Sequence, residues 1–235
     1  MINDAMIFAA GLGKRMHPLT IKTPKPLIKI NTKSLLSNNI EKLIESKVKN
    51  IVINSYKHSN QIINETKKYS ENVRVIKEKD RLETGGGFLN AINKNQFCTK
   101  NPVILLNGDI FWINKHYNSI NIIRKLWDPN KMDMLLALKN KEEFFGYSGN
   151  GDFDFYSSTS PLLELKKKPN SSLVFTGLQI VKQEVVLKKR KNFFSIKELI
   201  IDSAKKRRLY GYIDKNSWFH IGTVKDLESF KVDCK

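Results

Sequence analysis

The sequence predicts an α/β fold in which a mostly parallel central sheet carries helices on both faces. Short apolar runs at Met6 to Ala10, Ile51 to Ser55, Val73 to Ile76 and Val103 to Asn107 read as buried strands. Segments of helical spacing, Leu35 to Ser46, Ser59 to Tyr69 and Phe88 to Asn93, separate them. This alternation is that of a parallel sheet covered on both sides. Glycine-containing turns at Gly11 and Gly13, Gly85 to Gly87, and Gly108 follow three of the strands, where ligands of such sheets bind.

The second half is patterned differently. Met132 to Leu138 and Leu173 to Val181 read as further strands, and Gly146 to Phe155 as a turn followed by an exposed strand. Ser195 to Arg208 reads as a helix with Ser195 as cap and Glu198 completing a capping box. Val224 to Lys231 has one apolar face and closes the chain.

With 235 residues, 40% of them hydrophobic and 10% aromatic, the chain has the composition of a globular protein. No repeat or low-complexity linker divides it, so residues 1–235 are expected to form one domain. The net charge of +18 raises the question of nucleic-acid binding. However, 34 Lys stand against 7 Arg, the lysines are spread along the chain, and the clusters at 166–168 and 188–191 are not interleaved with aromatics. An anionic small substrate and a biased base composition account for the excess, and no nucleic-acid partner is expected. Cys98 and Cys234 match no metal or redox spacing. There is no cleavable leader pattern and no apolar run near the roughly 20 residues that span a bilayer, so a cytoplasmic protein without a membrane partner is expected.

Chemistry concentrates between Ala9 and Leu27, AAGLGKRMHPLTIKTPKPL. In Ala10-Gly11-Leu12-Gly13 the Cβ atoms missing at Gly11 and Gly13 leave successive N–H groups free to approach a phosphate. Arg15 adds a planar fork for phosphate oxygens and Lys25 a flexible point charge. Pro18, Pro24 and Pro26 restrict the backbone around them. The loop is not a Walker loop, because Gly13-Lys14 is followed by Arg15 and not by the hydroxyl residue of G-x-x-x-x-G-K-[ST].

The run from Gly11 to Leu27, G-x-G-x-R-M-x-P-L-T-x-x-x-P-K-P-L, resembles the signature of the sugar-1-phosphate nucleotidyltransferases. The resemblance extends from Ala5 to Leu227 and implies a Rossmann-like nucleotidyltransferase fold. The implied reaction joins an NTP and a sugar 1-phosphate to give an NDP-sugar and pyrophosphate. A nucleotide-binding half would span about residues 1–110 and a sugar-binding half about 111–235. Arg15, Lys25 and Asp109 take the catalytic roles it implies: Arg15 on the β- and γ-phosphates, Lys25 on the α-phosphate, and Asp109 on a Mg²⁺ ion.

Asp109 follows Asn107-Gly108 at the end of an apolar strand, a position that suits either a metal-binding carboxylate or a turn. The family's metal-binding Asp falls on Asp109. Asn107 is expected on the substrate side. Thr84, Gly85 and Gly86 lie in Leu82-Glu83-Thr84-Gly85-Gly86-Gly87, where glycines either let the backbone lie flat against a base or form a hinge. In the family this position meets the nucleotide base, and its form here is similar to that of the N-acetylmuramate-1-phosphate uridylyltransferase branch.

On the sugar side, Gly151 lies in Gly-Asp-Phe and Gly177 in Phe-Thr-Gly-Leu-Gln, both resembling sugar-contacting segments of the family. Lys166 to Pro169 reads K-K-K-P where relatives have Glu-Lys-Pro. Lys168 can still meet the sugar phosphate, and Glu164 stands near enough to replace the carboxylate lost at Lys167. In Trp218-Phe219-His220-Ile221-Gly222-Thr223, His220 replaces a second metal-binding Asp. An imidazole there would bind Mn²⁺ better than Mg²⁺, or would only hydrogen-bond a phosphate or water.

The expected enzyme therefore uses an NTP, a sugar 1-phosphate and Mg²⁺, with Mn²⁺ as the alternative ion, as a monomer or small homo-oligomer. UTP with N-acetylmuramate 1-phosphate is the expected pair, as in peptidoglycan recycling. A mannose-1-phosphate guanylyltransferase, another enzyme of the family, and a non-catalytic regulator binding nucleotide sugars are the alternatives. An RNA-binding module would instead show binding that falls steeply with salt.

Overall fold

The computed structural model describes residues 2–98, 101–165 and 171–233. In chain order the elements are β1 (Asp4–Phe8), β2 (Lys29–Ile30), β3 (Lys33–Ser34), α1 (Leu35–Glu45), β4 (Asn50–Ser55), α2 (Ser59–Thr66), β5 (Val73–Lys77) and α3 (Glu83–Asn93). There follow β6 (Val103–Asn107), β7 (Ile110–Ile113), α4 (Ser119–Leu126), β8 (Met134–Asn140), β9 (Phe153–Ser157), β10 (Ser160–Leu165) and β11 (Leu173–Val181). The chain ends with α5 (Gln183–Leu187), α6 (Ile196–Lys205), β12 (Leu209–Ile213), β13 (Ser217–His220) and α7 (Val224–Asp233).

Nine strands form one sheet in the order β5-β4-β1-β6-β11-β8-β12-β10-β9. Seven of them point the same way, and β11 and β10 run against their neighbours. The expected α/β architecture, with a mostly parallel sheet and helices on both faces, is the one that forms. Alternate residues of the buried strands feed two cores. Ile7, Ile53 and Leu106 pack with Leu36, Ile40 and Leu43 of α1 and Ile120 and Ile123 of α4. Met6, Val52 and Leu105 pack on the other side with Phe88 and Leu89 of α3 and Leu199 and Ile200 of α6. Among the described residues, no helix is long and apolar enough to cross a membrane.

A third cluster lies outside the sheet and seats the phosphate loop. Met16, fully buried, packs with Phe111 of β7, Phe219 of β13, and Leu227 and Phe230 of α7. β7 and β13 pair as an antiparallel ribbon that the apolar patterning did not announce.

Three differences from expectation have a clear physical reason. β1 stops at Phe8 rather than Ala10, because the Ala9 N–H donates to the Asn54 side chain at 3.0 Å and not to a neighbouring strand. α3 begins at Glu83, so the three glycines are helical and not a loop. Ser195 caps α6 by accepting from the Lys197 N–H, but Glu198 does not complete the capping box. Its carboxylate pairs with Lys191 at 2.9 Å and Lys189 at 3.5 Å, lysines of the preceding loop that offer it opposite charge.

Candidate active site

A cavity of about 560 Å³ opens at the carboxyl ends of β1 and β6. Of the residues singled out in the sequence, Gly11, Leu12, Gly13, Arg15, Lys25, Thr84, Asn107 and Asp109 line it together. Ala10 connects the end of β1 to this lining.

Local chemistry explains how the wall is built. Gly13 has φ 61°, a left-handed conformation that L side chains rarely take, and it turns the chain into a 3₁₀ turn from Lys14 to Met16. The Thr20 hydroxyl donates to the Gly13 carbonyl at 2.8 Å and closes the loop on itself. A Cβ at Gly11 would meet nothing within 4 Å, so this glycine leaves space on the ligand side and not for packing. Pro24 and Pro26 flank Lys25 in a second 3₁₀ turn, Lys25–Leu27, whose fixed φ angles present the lysine inward.

Asp109 reaches the same cavity from the other side. The Gly108 N–H donates to the Phe8 carbonyl at 2.9 Å, and a Cβ at Gly108 would stand 2.4 Å from that oxygen. Glycine therefore lets the β6–β7 turn lie directly over the end of β1. Asn39, buried in α1, donates to the Ile110 carbonyl at 3.3 Å and holds the residue after Asp109. As a result, Lys25 Nζ stands 2.7 Å from Asp109 Oδ2. Lys25 is 7% exposed, and a buried ammonium needs such a partner. Arg15 remains exposed at the mouth.

Gly85 and Gly86, expected to lie flat against a base, are buried and do not line the cavity. Their missing side chains admit the segment before α6: a Cβ on Gly85 would be 2.3 Å from the Phe194 ring, and one on Gly86 2.0 Å from the Asn192 carbonyl oxygen. Backbone bonds clasp the two segments, Gly86 N–H to Phe194 O at 3.0 Å and Phe194 N–H to Leu82 O at 3.3 Å. Thr84 lines the cavity and also accepts from the Ile196 N–H at 2.9 Å, capping α6. Gly86→Ala is accordingly expected to destabilise the protein by about 1–3 kcal/mol, the cost of forced overpacking. For a chain of this length that is a fall in Tm of several degrees, read by thermal unfolding. An unchanged Tm would mean that the clasp is loose.

On the sugar side, Gly177 (φ 95°) sits at a bulge of β11 against Asn107, whose Nδ2 would be 3.0 Å from a Cβ there. Gly151 and Glu164 lie away from the cavity lining. The Gly151 N–H donates to the Tyr147 hydroxyl at 3.1 Å, and its backbone packs under the Ser171 carbonyl. Glu164 pairs across from Asp154 in the edge hairpin. Lys168 lies outside the described residues.

His220 does not line the cavity either. Its backbone N–H donates to Phe145 O at 2.8 Å and its ring meets Phe144 and Tyr147 edge-on at 6.2 and 6.3 Å. Burial, reinforced by the nearby Lys25 charge, holds the imidazole below its ordinary range, so it is neutral at pH 7. Its Nε2 faces Gly222, which does line the cavity.

Arg81, Glu83 and Gly222 line the cavity and were not anticipated. Arg81 and Glu83 form an ion pair on the wall. Asp226 accepts from the Gly222 and Thr223 N–H groups at 2.9 and 2.8 Å, while Thr223 accepts from the Asp226 N–H at 3.2 Å. That reciprocal pair is a capping box, and Thr223-x-x-Asp226 was its signal in the sequence.

The fold places a cavity with loop N–H groups, two cations and a carboxylate at the carboxyl ends of parallel strands, where enzymes of this architecture bind their ligands. Residues 4–234 match the nucleotidyl transferase family model, and the chain belongs to that family as a sugar-1-phosphate nucleotidyltransferase. It is 29% identical over 225 residues to N-acetylmuramate alpha-1-phosphate uridylyltransferase of Caulobacter vibrioides, covering 93% of this chain and 91% of that one. It is 25% identical over 238 residues to D-glycero-alpha-D-manno-heptose 1-phosphate guanylyltransferase of Campylobacter jejuni, covering 98% and 99%. Its fold is similar to that of HddC from Yersinia pseudotuberculosis complexed with GMP-PN, with a TM-score of 0.76, 21% identity and full coverage of both chains.

Proposed function

We propose that this enzyme transfers the uridylyl group of UTP to N-acetylmuramate 1-phosphate in the cytoplasm, as a monomer or small homo-oligomer. The observation that carries this reading is the Leu82-Glu83-Thr84-Gly85-Gly86-Gly87 segment at one end of the cavity, with Glu83 and Thr84 on its wall. The likeness to the Caulobacter uridylyltransferase over nearly the whole chain supports it.

Arg15, exposed on the loop, forks onto the β- and γ-phosphates, and the loop N–H groups around Gly11 receive the departing pyrophosphate. Lys25 is directed to the α-phosphate, where charge grows as the sugar phosphate oxygen attacks in line. Asn107 and Gly177 border the side from which that oxygen comes, with Gly151 and Glu164 further out toward the sugar, and Lys168 is assigned to the sugar phosphate by the resemblance of its sequence segment alone.

Mg²⁺ suits these residues. It is commonly held by one or two carboxylates together with substrate phosphates, and Asp109 presents a carboxylate 38% exposed at the cavity. Among the described residues no group of three or more His, Cys, Asp or Glu side chains forms a metal cage, so substrate phosphates and water would supply the remaining ligands. When bound, the ion would neutralise charge on both reacting phosphates. His220, neutral and next to Gly222, is the candidate second donor.

A panel of UTP, dTTP, CTP and GTP against muramate, glucose and mannose 1-phosphates, in Mg²⁺ and in Mn²⁺, tests the proposal by pyrophosphate release. The expected result is fastest release from UTP with N-acetylmuramate 1-phosphate. An imidazole donor would appear as an unusually high Mn²⁺ to Mg²⁺ activity ratio. A preference for GTP with mannose 1-phosphate would overturn the substrate pair. Tight NDP-sugar binding without any release would favour the regulator.

A further inference from the structure

A chain of buried polar groups runs under the cavity, and the roles assigned so far do not use it. Asn54, near the end of β4, is 2% exposed. Its Oδ1 accepts from the Ala9 N–H at 3.0 Å, where the chain leaves the sheet for the phosphate loop. Its Nδ2 donates to Glu78 Oε1 at 2.7 Å. Glu78, 7% exposed just after β5, is anchored by its own N–H to the Ser55 carbonyl at 2.7 Å, and the Leu82 backbone also faces its carboxylate. Burial holds its carboxyl above the ordinary range. In α3, Gly87 makes room: a Cβ there would stand 2.7 Å from Asn54 Nδ2 and 2.9 Å from Glu78 Oε1.

A carboxyl buried in this way costs free energy that an apolar side chain would not. The chemistry of the amide supplies a reason for it. An Asn side chain can turn end for end, presenting either an acceptor or two donors to the same neighbour. Toward the Ala9 N–H only the acceptor end works, and an acceptor at Glu78 selects that end by taking the NH₂ group.

We propose that Asn54 and Glu78 are positioning residues for nucleotide binding: Asn54 sets the point where the phosphate loop leaves β1, and Glu78 fixes the orientation of the Asn54 amide. Gly87 ties this setting to α3, whose first residues line the other end of the cavity. The inference rests on the reading of the cavity as the NTP site.

Three variants of the full chain test it: Asn54→Ala, Glu78→Leu and Glu78→Gln. Two quantities are measured in each, the Kd for UTP and for GTP by calorimetry with Mg²⁺, and hydrogen exchange of the peptide spanning residues 9–16 without nucleotide. Asn54→Ala and Glu78→Leu are expected to weaken nucleotide binding and to speed loop exchange by about 10-fold, the size of losing one buried hydrogen bond. KM for the sugar phosphate should change little. Glu78→Gln keeps an acceptor and is expected to behave as the parent, a rescue that loss of packing would not produce. If Asn54→Ala does not fold, the two Glu78 variants carry the comparison. Unchanged exchange and affinity in Glu78→Leu, or an equal loss in Glu78→Gln, would overturn the proposal. If the parent binds neither nucleotide while exchange responds as expected, the relay stands as a loop-setting device and the NTP reading of the cavity fails.

Discussion

Lys25→Ala is expected to lower kcat on the order of 100-fold or more while the KM for the nucleotide changes little. The magnitude follows from removing one preorganised group that meets charge as it develops. Lys25 qualifies as such a group because its ammonium is buried, held 2.7 Å from Asp109, and carried on a stem packed beside Gly13. An interaction made mainly in the transition state appears in kcat, whereas one made equally with bound substrate appears in KM. Arginine should not rescue the variant, since a planar guanidinium cannot replace a compact charge in a site this closely packed. Steady-state kinetics with saturating sugar phosphate check this result. A raised KM with unchanged kcat would make Lys25 a binding residue only.

Asp109→Asn is expected to cost on the order of 100- to 1,000-fold in kcat, comparable with losing a single oriented charge in an active site, and to weaken the apparent affinity for activating Mg²⁺. Asparagine keeps the shape of the turn after Gly108 and still offers Lys25 an oxygen, so the fold should survive. Because Lys25 is buried and would keep only a neutral oxygen as partner, a lower Tm is expected, and the kinetics are to be read well below the melt. A metal titration of activity at fixed nucleotide, with a thermal melt as control, separates the possibilities. Full activity with parental metal dependence would reduce Asp109 to a turn residue.

The phosphate loop was legible because its chemistry is local. Gly13 takes a left-handed angle, and Pro24 and Pro26 hold Lys25 in a 3₁₀ turn, through backbone preferences that depend on near neighbours. The buried strands were legible for a related reason, since a strand covered on both faces must be apolar at successive positions. The ribbon of β7 and β13 was not, because its aromatics, Phe111 and Phe219 among them, serve a small cluster under the loop and carry no sheet period of their own.

The sequence by itself determined the family, the kind of chemistry, and the residue types at the phosphate loop and at the end of β6. Only the tertiary structure decided which of those residues act on one another. Lys25 and Asp109 read as two separate roles along the chain, and folding makes them one ion pair. The three glycines of α3 were ambiguous for a physical reason: a missing Cβ favours close approach by whatever comes near, whether a base or a protein segment. What comes near Gly85 and Gly86 is Phe194 and Asn192, from a part of the chain that no local pattern connects to them. His220 was visible as a departure from its family's carboxylate, but the aromatic surroundings that keep its imidazole neutral were not. The same holds for Asn54 and Glu78, ordinary polar residues in the sequence, which become a buried pair beneath the loop because hydrogen bonding and desolvation depend on neighbours that only the fold supplies.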